Sequence, residues 1–434
     1  MSTAWFSGGS ISLNYPTDAI SATLSLAAAA GQQDFAGRRK QKGGSRRSRN
    51  RRTRTKPGTS PHPQMTFLCD GGVCADDAPE DGRRREDSME DDEGGQLDYH
   101  SGFVLKERYE VVSMLGEGAF GRVMKCLDRR KDEFVAVKIL RTFENSYETA
   151  RLEIAVLEEI NSLDDDNKFA CVRMLDWFKH KRHVCIVFEL LGLSTFEFLR
   201  QNDFLPFSVE QIRHMAFRIF RAVSFLHRNK LTHTDLKPEN ILFVSSDFDL
   251  KDDPKTMRVC RKPRSLEVKV VDFGTATFDH QHHQSLVSTR HYRAPEVILD
   301  LGWNQSCDVW SLGCVLFEFY FGQTLFPSHD CMEHLAMMQE VLGPIPPHLL
   351  KQTGKKHFVQ DDRLKWDERS SSGDCVREPR RPLKSIEAES DEEQQLLDLL
   401  SCMLEYDTCR RITLEEALWH PFFSPMRAKQ SPQS

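Results

Sequence analysis

The spacing of apolar side chains changes character along the chain. From about Tyr109, short runs rich in Val and Ile predict β-strands, and after Leu193 apolar residues recur at helical spacing. The predicted strands are Tyr109–Leu115, Gly121–Leu127, Phe134–Leu140 and Val184–Leu190. The predicted helices are Thr149–Ile160, Val209–His227, Cys307–Phe321, His334–Leu342 and Glu393–Leu404. A β-rich piece followed by a helix-rich piece predicts an α+β fold with two lobes of unequal size.

Residues 1–100 show neither the alternation of apolar and polar residues that is typical of strands nor apolar residues at helical spacing. Within them, Arg38–Lys56 holds eleven Lys and Arg and no acid, whereas Asp70–Glu93 holds eleven acids and three Arg. Because such a stretch buries too little apolar surface to offset its ordering entropy, we expect a disordered N-terminal extension. We favour a nuclear import signal over a plain linker for the basic block. No aromatic residue is interleaved with it, so we expect no direct nucleic-acid binding.

Overall composition excludes several classes of protein. The 434 residues carry a formal charge of −6 and are 39% hydrophobic, which suits one large core or two adjoining lobes. The 12 cysteines have no framework spacing, which favours a reducing compartment. The run Ala19–Ala30 is shorter than the roughly 18 residues of a membrane-spanning helix, and no Lys or Arg precedes it. We therefore expect neither a membrane-bound nor a secreted protein.

A glycine-rich segment, Gly116-Glu-Gly118-Ala-Phe-Gly121-Arg-Val123, separates the first two predicted strands. A dinucleotide-binding fold needs a helix after such glycines, whereas a kinase loop needs a second strand. Val123–Leu127 continues as a strand, and glycines let the backbone lie over phosphates without an intervening Cβ. On this motif alone, phosphate binding and a plain hairpin are equal alternatives.

Lys138 ends the apolar segment Val135-Ala-Val-Lys138 on the next strand. An inward lysine between β-branched residues is costly unless an anion meets it. Glu153, on the following helix, offers that partner, and the pair would hold the ammonium against the α- and β-phosphates of a nucleotide. The alternative is a lysine that extends to solvent.

The segment His233-Thr-Asp235-Leu-Lys237-Pro-Glu-Asn240 carries the strongest chemical signal. Asp235 can accept the proton of an attacking hydroxyl, Lys237 can neutralise charge on a transferred phosphoryl group, and Asn240 can hold a metal ion. Asp272, in Val-Val-Asp-Phe-Gly, supplies a carboxylate for Mg²⁺. Phosphoryl transfer needs mainly positioning and cations around the developing charge, and these residues supply both.

These motifs, in this order, make residues 109–423 resemble the eukaryotic protein kinases. The resemblance implies a two-lobed protein-kinase fold, with an N-lobe over 109–190, a C-lobe over 191–423 and a short tail over 424–434. It also implies a scaffold role for three residues outside the chemistry. Glu296 in Ala-Pro-Glu pairs with Arg411, and Asp308 anchors the catalytic loop from a buried helix.

The same resemblance assigns a nucleotide site, with Phe188 as gatekeeper and Glu189 to Leu191 as the hinge. The expected nucleotide-binding residues are Leu115, Gly116, Glu117, Gly118, Ala119, Phe120, Gly121, Arg122, Val123, Ala136, Lys138, Phe188, Glu189, Leu191, Glu239, Leu242 and Val271. The expected catalytic residues are Asp235, Lys237, Lys138, Glu153 and Thr289. The expected metal ligands are Asn240 and Asp272.

A narrower resemblance is to the cdc-like (Clk or LAMMER) kinases. It rests on the catalytic segment above, on Ser288-Thr-Arg-His-Tyr-Arg-Ala-Pro-Glu296, and on Glu333-His-Leu-Ala-Met-Met338. The long spacing between Asn240 and Asp272 also fits, and we expect an extra hairpin over Lys255–Lys269. The resemblance implies phosphorylation of Ser and Thr in arginine/serine-rich splicing factors, tyrosine autophosphorylation and regulation of splicing.

Three features depart from these families. Thr234 replaces the arginine that binds an activation-loop phosphate in kinases at large; the Clk group shares this, so we expect activity without that contact. Gln339 and Glu340 stand where the Clk signature has Glu-Arg, which puts in doubt an ion pair of the lower lobe. The arginine/serine region is reduced to a short block, Ser45–Arg49, which weakens the inference of docking through the N-terminus.

We therefore interpret the chain as an active, ATP- and Mg²⁺-dependent dual-specificity kinase of arginine/serine-rich proteins. We expect a monomeric kinase domain with no membrane partner, located in the nucleus and secondarily in the cytoplasm, and Arg293 shaping the site just past the acceptor. A non-catalytic kinase-fold scaffold is the alternative from another class, but its usual mark is loss of a residue such as Lys138, Asp235 or Asp272. An RNA-binding tail with an accessory kinase is a further alternative.

Overall fold

A computed structural model describes five stretches of the chain. They are residues 99–118, 121–141, 146–253, 258–366 and 381–430. The expected disordered extension, with its basic and acidic blocks, lies outside these residues except at its last two positions. The predicted nucleotide contacts Ala119 and Phe120 also lie outside them.

A six-stranded antiparallel sheet forms the N-terminal part of the fold. Its spatial order is β1-β2-β3-β4-β6-β5. The strands are β1 (Val104–Leu105), β2 (Tyr109–Gly118), β3 (Gly121–Asp128), β4 (Glu133–Leu140), β5 (Met174–His180) and β6 (His183–Glu189). Alternate residues of β4, among them Val135, Val137 and Ile139, are buried on one face of the sheet. Helix α1 (Ser146–Leu163) buries Ile154, Leu157 and Ile160 as the spacing predicts.

The four strands predicted from the sequence are confirmed, and two further strands are present. Strand β5, Met-Leu-Asp-Trp-Phe-Lys-His, lacks a clean alternation of apolar and polar residues, because its register against β6 shifts between Met174 and Asp176. Strand β1 pairs only two residues with β2. Neither signal stands out in a single sequence.

The C-terminal part is mainly helical, and the predicted long helices are confirmed. The helices are α2 (Thr195–Gln201), α3 (Val209–Arg228), α4 (Pro295–Ile298), α5 (Ser306–Phe321), α6 (Cys331–Leu342), α7 (Pro347–Gln352), α8 (Asp391–Met403), α9 (Leu414–Ala417) and α10 (Ser424–Gln430). Ser208 and Gln211 form a capping box at the start of α3. Helix α5 ends at Gly322, whose φ of 69° favours glycine and whose absent Cβ would lie 2.1 Å from the Phe204 carbonyl oxygen.

Short two-stranded pairs also occur in the described C-terminal part, and two of them flank the catalytic segment. The strands are β7 (Leu231–Thr232), β8 (Ile241–Phe243), β9 (Phe248–Asp253), β10 (Arg258–Pro263), β11 (Val268–Val270), β12 (Thr277–Phe278), β13 (Val359–Gln360) and β14 (Arg363–Leu364). Strand β8 pairs with β11, and β7 pairs with β12. These two pairs place the catalytic segment beside Asp272, although some thirty residues separate them in the sequence.

The extra hairpin is present, but the predicted boundaries are wrong. It spans Phe248 to Pro263, with Phe248 paired to Pro263 and Asp253 to Arg258, and not Lys255–Lys269. Its strands are rich in charge and expose Leu250 and Val259, so no buried apolar face sets their register in the sequence. Among the described helices, none is long and apolar enough to cross a membrane.

Candidate active site

Three charged side chains from different elements meet between the two parts of the fold. The Lys138 Nζ on β4 lies 2.7 Å from Glu153 Oε1 on α1 and 3.0 Å from Asp272 Oδ1. Asp272 has a φ of 64°, which is rare for a non-glycine residue and turns the chain sharply after β11. The predicted Lys138–Glu153 pair is therefore formed, and the metal-site carboxylate joins it.

Burial and charge oppose each other at this triad. Desolvation lowers the pKa of the Lys138 ammonium, but the carboxylates of Asp272 and Glu153 outweigh it and raise that pKa above its ordinary value. Lys138 in turn holds the pKa of Asp272 below its ordinary value. Both groups are therefore charged at neutral pH. The Lys138 ammonium can therefore contact a phosphate oxygen, and the neighbouring Asp272 carboxylate can bind a metal ion.

A single buried carboxylate holds the catalytic segment in place. Asp308, on α5, is fully buried and accepts hydrogen bonds from the backbone N–H groups of His233 (2.8 Å) and Thr234 (2.9 Å). The ring of His227 lies 2.9 Å from the same carboxylate. The predicted anchoring role of Asp308 thus has a direct geometric basis: it fixes the two residues before Asp235.

The carboxylate of Asp235 is held from two sides. Oδ1 accepts from the Thr289 backbone N–H (2.8 Å) and hydroxyl (2.6 Å), and Oδ2 accepts from the Lys237 ammonium (2.7 Å). Lys237 also donates to the Thr289 hydroxyl at 2.9 Å. Burial lowers the pKa of Lys237, but Asp235 more than offsets this, and the pKa is raised overall. The four predicted groups Asp235, Lys237, Thr289 and Asn240 are thus brought together.

Oxygen ligands for a cation face the same space. The Asn240 Nδ2 donates to the Asp235 carbonyl at 2.9 Å, so Oδ1 is the atom left for a metal. Asp272 uses Oδ1 for Lys138 and keeps Oδ2. Magnesium ions in nucleotide sites usually take one or two side-chain oxygens, and phosphates and water complete the shell. This donor set fits a hard divalent ion bound together with a nucleotide.

Strands β2 and β3 stay paired as far as the glycines of the glycine-rich segment. Gly118 pairs with Gly121, and Glu117 bonds to Arg141 at 3.0 Å and lies 3.5 Å from Arg122. A Cβ on Gly121 would lie 2.0 Å from the Ile139 carbonyl oxygen, so this position requires glycine. Open space surrounds Gly116 and Gly118, as a loop that covers phosphates needs.

Cross-strand register defines the face that an adenine would meet. Val123 lies opposite Lys138, and Ala136 is two residues before it, so the three side chains share the face that points to Asp272. Phe188 lies opposite Ala136 and is 9% exposed, as a gatekeeper would be. The other predicted aliphatic contacts, half-buried or exposed, are Leu115, Leu242 and Val271.

The side chain and the N–H of the hinge residue Glu189 are both engaged by the surrounding fold. The side chain of Glu189 accepts from Lys269 Nζ at 2.5 Å and from the Arg173 N–H at 2.7 Å, so it is engaged in packing. Its own N–H donates to the Arg173 carbonyl, and the Gly192 N–H donates to Phe243. Among the described hinge residues, Leu190 and Leu191 have N–H groups without a backbone acceptor.

A second carboxylate on α5, Glu318, was not singled out from the sequence. It is 2% exposed and accepts from the Tyr292 hydroxyl at 2.8 Å. Burial raises its pKa to about 7, and Glu239 adds to this effect. Burial also raises the pKa of Glu239. An acid within the otherwise apolar helix Cys307–Phe321 was the available signal.

The structure also shows the predicted pair of Arg411 and Glu296 and the surroundings of two residues that depart from the family patterns, Thr234 and Glu340. Arg411 and Glu296 form a bidentate pair at 2.7 and 2.9 Å, both buried. The Thr234 hydroxyl donates to the Thr275 carbonyl at 3.0 Å, which links the catalytic segment to the chain after Asp272. Glu340 is exposed and makes no ion pair with any described residue.

This combination of a two-part α+β fold, an intact lysine–glutamate pair and a paired catalytic aspartate defines a phosphotransferase of the protein kinase class. Residues 109–423 match the protein kinase domain family. The chain is 57% identical over 348 residues to the dual specificity protein kinase CLK2 of Homo sapiens, covering 80% of this chain and 70% of the relative. It is 50% identical over 341 residues to the serine/threonine-protein kinase Doa of Drosophila melanogaster, covering 77% and 41%.

A crystal structure of a kinase domain superposes with a TM-score of 0.68 at 33% identity, covering 77% of this chain and all of that one. The chain therefore belongs to the protein kinase family and, within it, to the CLK dual specificity kinases. It is an enzyme that uses ATP and a divalent metal ion and acts on protein substrates. A scaffold without catalysis is not supported, because none of the three marker residues is lost.

Proposed function

We propose that this kinase transfers the γ-phosphate of MgATP to serine and threonine in arginine/serine-rich proteins, and to its own tyrosine. Asp235 would orient the acceptor hydroxyl and accept its proton, since its carboxylate is fixed by Thr289 and Lys237. Lys237 and Lys138 would stabilise charge on the phosphates. Mg²⁺, held by Asn240 and Asp272, would neutralise the β- and γ-phosphate oxygens.

One observation supports arginine-rich proteins as the substrate class. Glu239, four residues after Asp235, has an exposed side chain, yet desolvation raises its pKa, and it also raises the pKa of the buried Glu318. Carboxylates whose solvation is restricted in this way attract a cationic side chain, and arginine is the cation that pairs with carboxylates bidentately. A serine flanked by arginines would present that cation beside its hydroxyl.

Transfer of labelled phosphate from ATP tests this proposal. The substrates are an arginine/serine-repeat peptide, the matched lysine/serine peptide and an acidic serine peptide, each assayed with and without Mg²⁺. We expect turnover of the arginine peptide, weaker turnover of the lysine peptide and none of the acidic one. An Asp235→Asn control should abolish all transfer. Equal use of the acidic peptide would contradict the assignment.

We also propose that the enzyme is monomeric, enters the nucleus through residues 38–56, and acts there on splicing factors. The density of eleven Lys and Arg without an acid supports import. Light scattering on the purified chain tests the first point. A reporter fused to residues 1–100, with and without 38–56, tests the second, and cytoplasmic retention of both would refute it. Splice-site use in cells expressing Asp235→Asn tests the third.

A further inference from the structure

A group of cationic side chains follows the acceptor-positioning residue Thr289. Arg290 and Arg293 bracket a 3₁₀ turn, Arg290–Tyr292, and residues three apart lie on one side of such a turn. Arg293 donates to the carbonyls of Val287 (2.8 Å) and Ser288 (2.7 Å) and interacts with the thiol of Cys331. The Arg290 Nε is buried without a hydrogen-bond partner. Neither arginine forms an ion pair with any described carboxylate.

Two histidines lie beside these arginines, one within the same turn and one on α6. His291 is partly buried, and burial, Arg290 and His329 lower its pKa. His334, on α6, is fully buried, and neither ring nitrogen has a hydrogen-bond partner in the described structure. Burial lowers its pKa to about 3, with further contributions from Arg293, His291 and Arg290. We call the arginine pair Arg290 and Arg293, with the uncharged His291 and His334 beside it, the cationic turn.

Polar atoms around the cationic turn also lack partners. The hydroxyls of Ser288 and Ser328 are buried and unbonded, and Ser288 has a φ of 68°, which is strained for serine. A buried donor without an acceptor loses its hydration on folding, and no protein hydrogen bond replaces it. Like charges held close together add to that cost. The nearest functional carboxylate, Asp235, is already committed to Thr289 and Lys237.

An anion with several acceptor oxygens would relieve both costs at once. A phosphoryl group carries up to two negative charges and three strong acceptor oxygens, and arginine binds it bidentately. Its place is set by the chain: Thr289 contacts Asp235, where the acceptor hydroxyl must lie, and the cationic turn begins at the next residue. A residue neighbouring the acceptor in a bound peptide would therefore reach it.

We propose that the cationic turn binds the phosphoryl group of a phosphoserine lying one or two residues after the acceptor serine. The kinase would then prefer serine repeats that already carry phosphate. This inference rests on the proposed function, because it concerns the same substrates. A phosphate on the chain's own activation loop, for example at the exposed Ser285, could occupy the same site. The test distinguishes that phosphate from one carried by the substrate.

The test compares three peptides with the same arginine/serine framework and one acceptor serine. The residue two positions after the acceptor is phosphoserine, glutamate or alanine. The enzyme is the full chain, assayed after phosphatase treatment and again after autophosphorylation. We expect kcat/KM to be about tenfold higher for the phosphoserine peptide than for the alanine peptide, mostly through KM, with glutamate between them. High salt should reduce the preference.

Arg290→Gln should bring the phosphoserine-to-alanine ratio close to one. The matched control is Arg410→Gln, which removes an arginine that is 74% exposed and distant in sequence, and it should leave the ratio unchanged. An unchanged ratio in Arg290→Gln, or equal use of the phosphoserine and alanine peptides by the phosphatase-treated enzyme, would overturn the proposal. A preference that appears only after phosphatase treatment would show that a phosphate on the loop competes for the same site. Loss of turnover with all three peptides would instead refute the proposed substrate class.

Discussion

The buried carboxylate of Glu318 should make the stability of this kinase depend on pH. Its pKa is raised from 4.5 to about 7, first by burial and then by Glu239, while Tyr292 and Thr324 donate hydrogen bonds to it. An acid whose folded-state pKa is raised contributes stability that is fully present below the unfolded value. That stability is lost as the pH rises through the folded value. One pKa unit corresponds to about 1.4 kcal/mol, so the ionised carboxylate costs about 3 kcal/mol above pH 7.5.

Glu318→Gln removes the ionisable proton but keeps an oxygen that can accept from the Tyr292 hydroxyl. The variant should gain free energy of unfolding relative to the wild type, and the gain should be about 2 kcal/mol larger at pH 8.5 than at pH 5.5. Urea unfolding followed by tryptophan fluorescence at the two pH values measures this difference. The control, Glu159→Gln on the exposed face of α1, should show no such pH dependence. A gain equal at both pH values would show that packing, and not ionisation, sets the cost at this position.

Three further substitutions distinguish residues that stabilise the fold from a residue that we propose to act in phosphate transfer. Asp308→Asn places an amide against one of the two backbone N–H groups that the carboxylate accepts, so we expect a loss of about 2–4 kcal/mol in urea unfolding and of activity in the folded fraction. Glu296→Gln leaves the fully buried Arg411 without its charge partner, which should cost about 3–5 kcal/mol and lower the melting temperature. Lys138→Ala should abolish most phosphate transfer but leave circular dichroism unchanged; wild-type turnover by the folded variant would refute the phosphate-clamp role.

The candidate catalytic residues could be proposed from the sequence because phosphoryl transfer constrains both their type and their order. Lys138, Asp235 and Asp272 each stand in a segment whose strand or loop character is legible locally. The structure adds long-range contacts and element boundaries that local sequence patterns cannot predict. The pairing of Lys269 with Glu189 spans 80 residues, and an exposed charged hairpin has no buried face from which its boundaries could be read.

The environment of Glu318 is another feature that the sequence alone could not predict. In the sequence it is one acid in an apolar helix, and nothing nearby says whether it faces solvent or core. Only the return of the chain after Thr289 places Tyr292 against it, 26 residues away. Its raised pKa and its proximity to Glu239 therefore belong to the tertiary fold and could not be predicted from spacing.

Helix α5 fixes the separation between Asp235 and the proposed phosphoserine site. Asp308 near its start fixes the catalytic segment, and Ser311 and Glu318 further along hold Tyr292 through its carbonyl (2.8 Å) and hydroxyl (2.8 Å). Tyr292 lies between Arg290 and Arg293 of the cationic turn, so that turn and Asp235 are both held by one buried helix. A phosphoserine should therefore be recognised at a fixed distance from the acceptor. Moving it from two to five residues beyond the acceptor should abolish the preference, whereas a diffuse electrostatic attraction would tolerate the move.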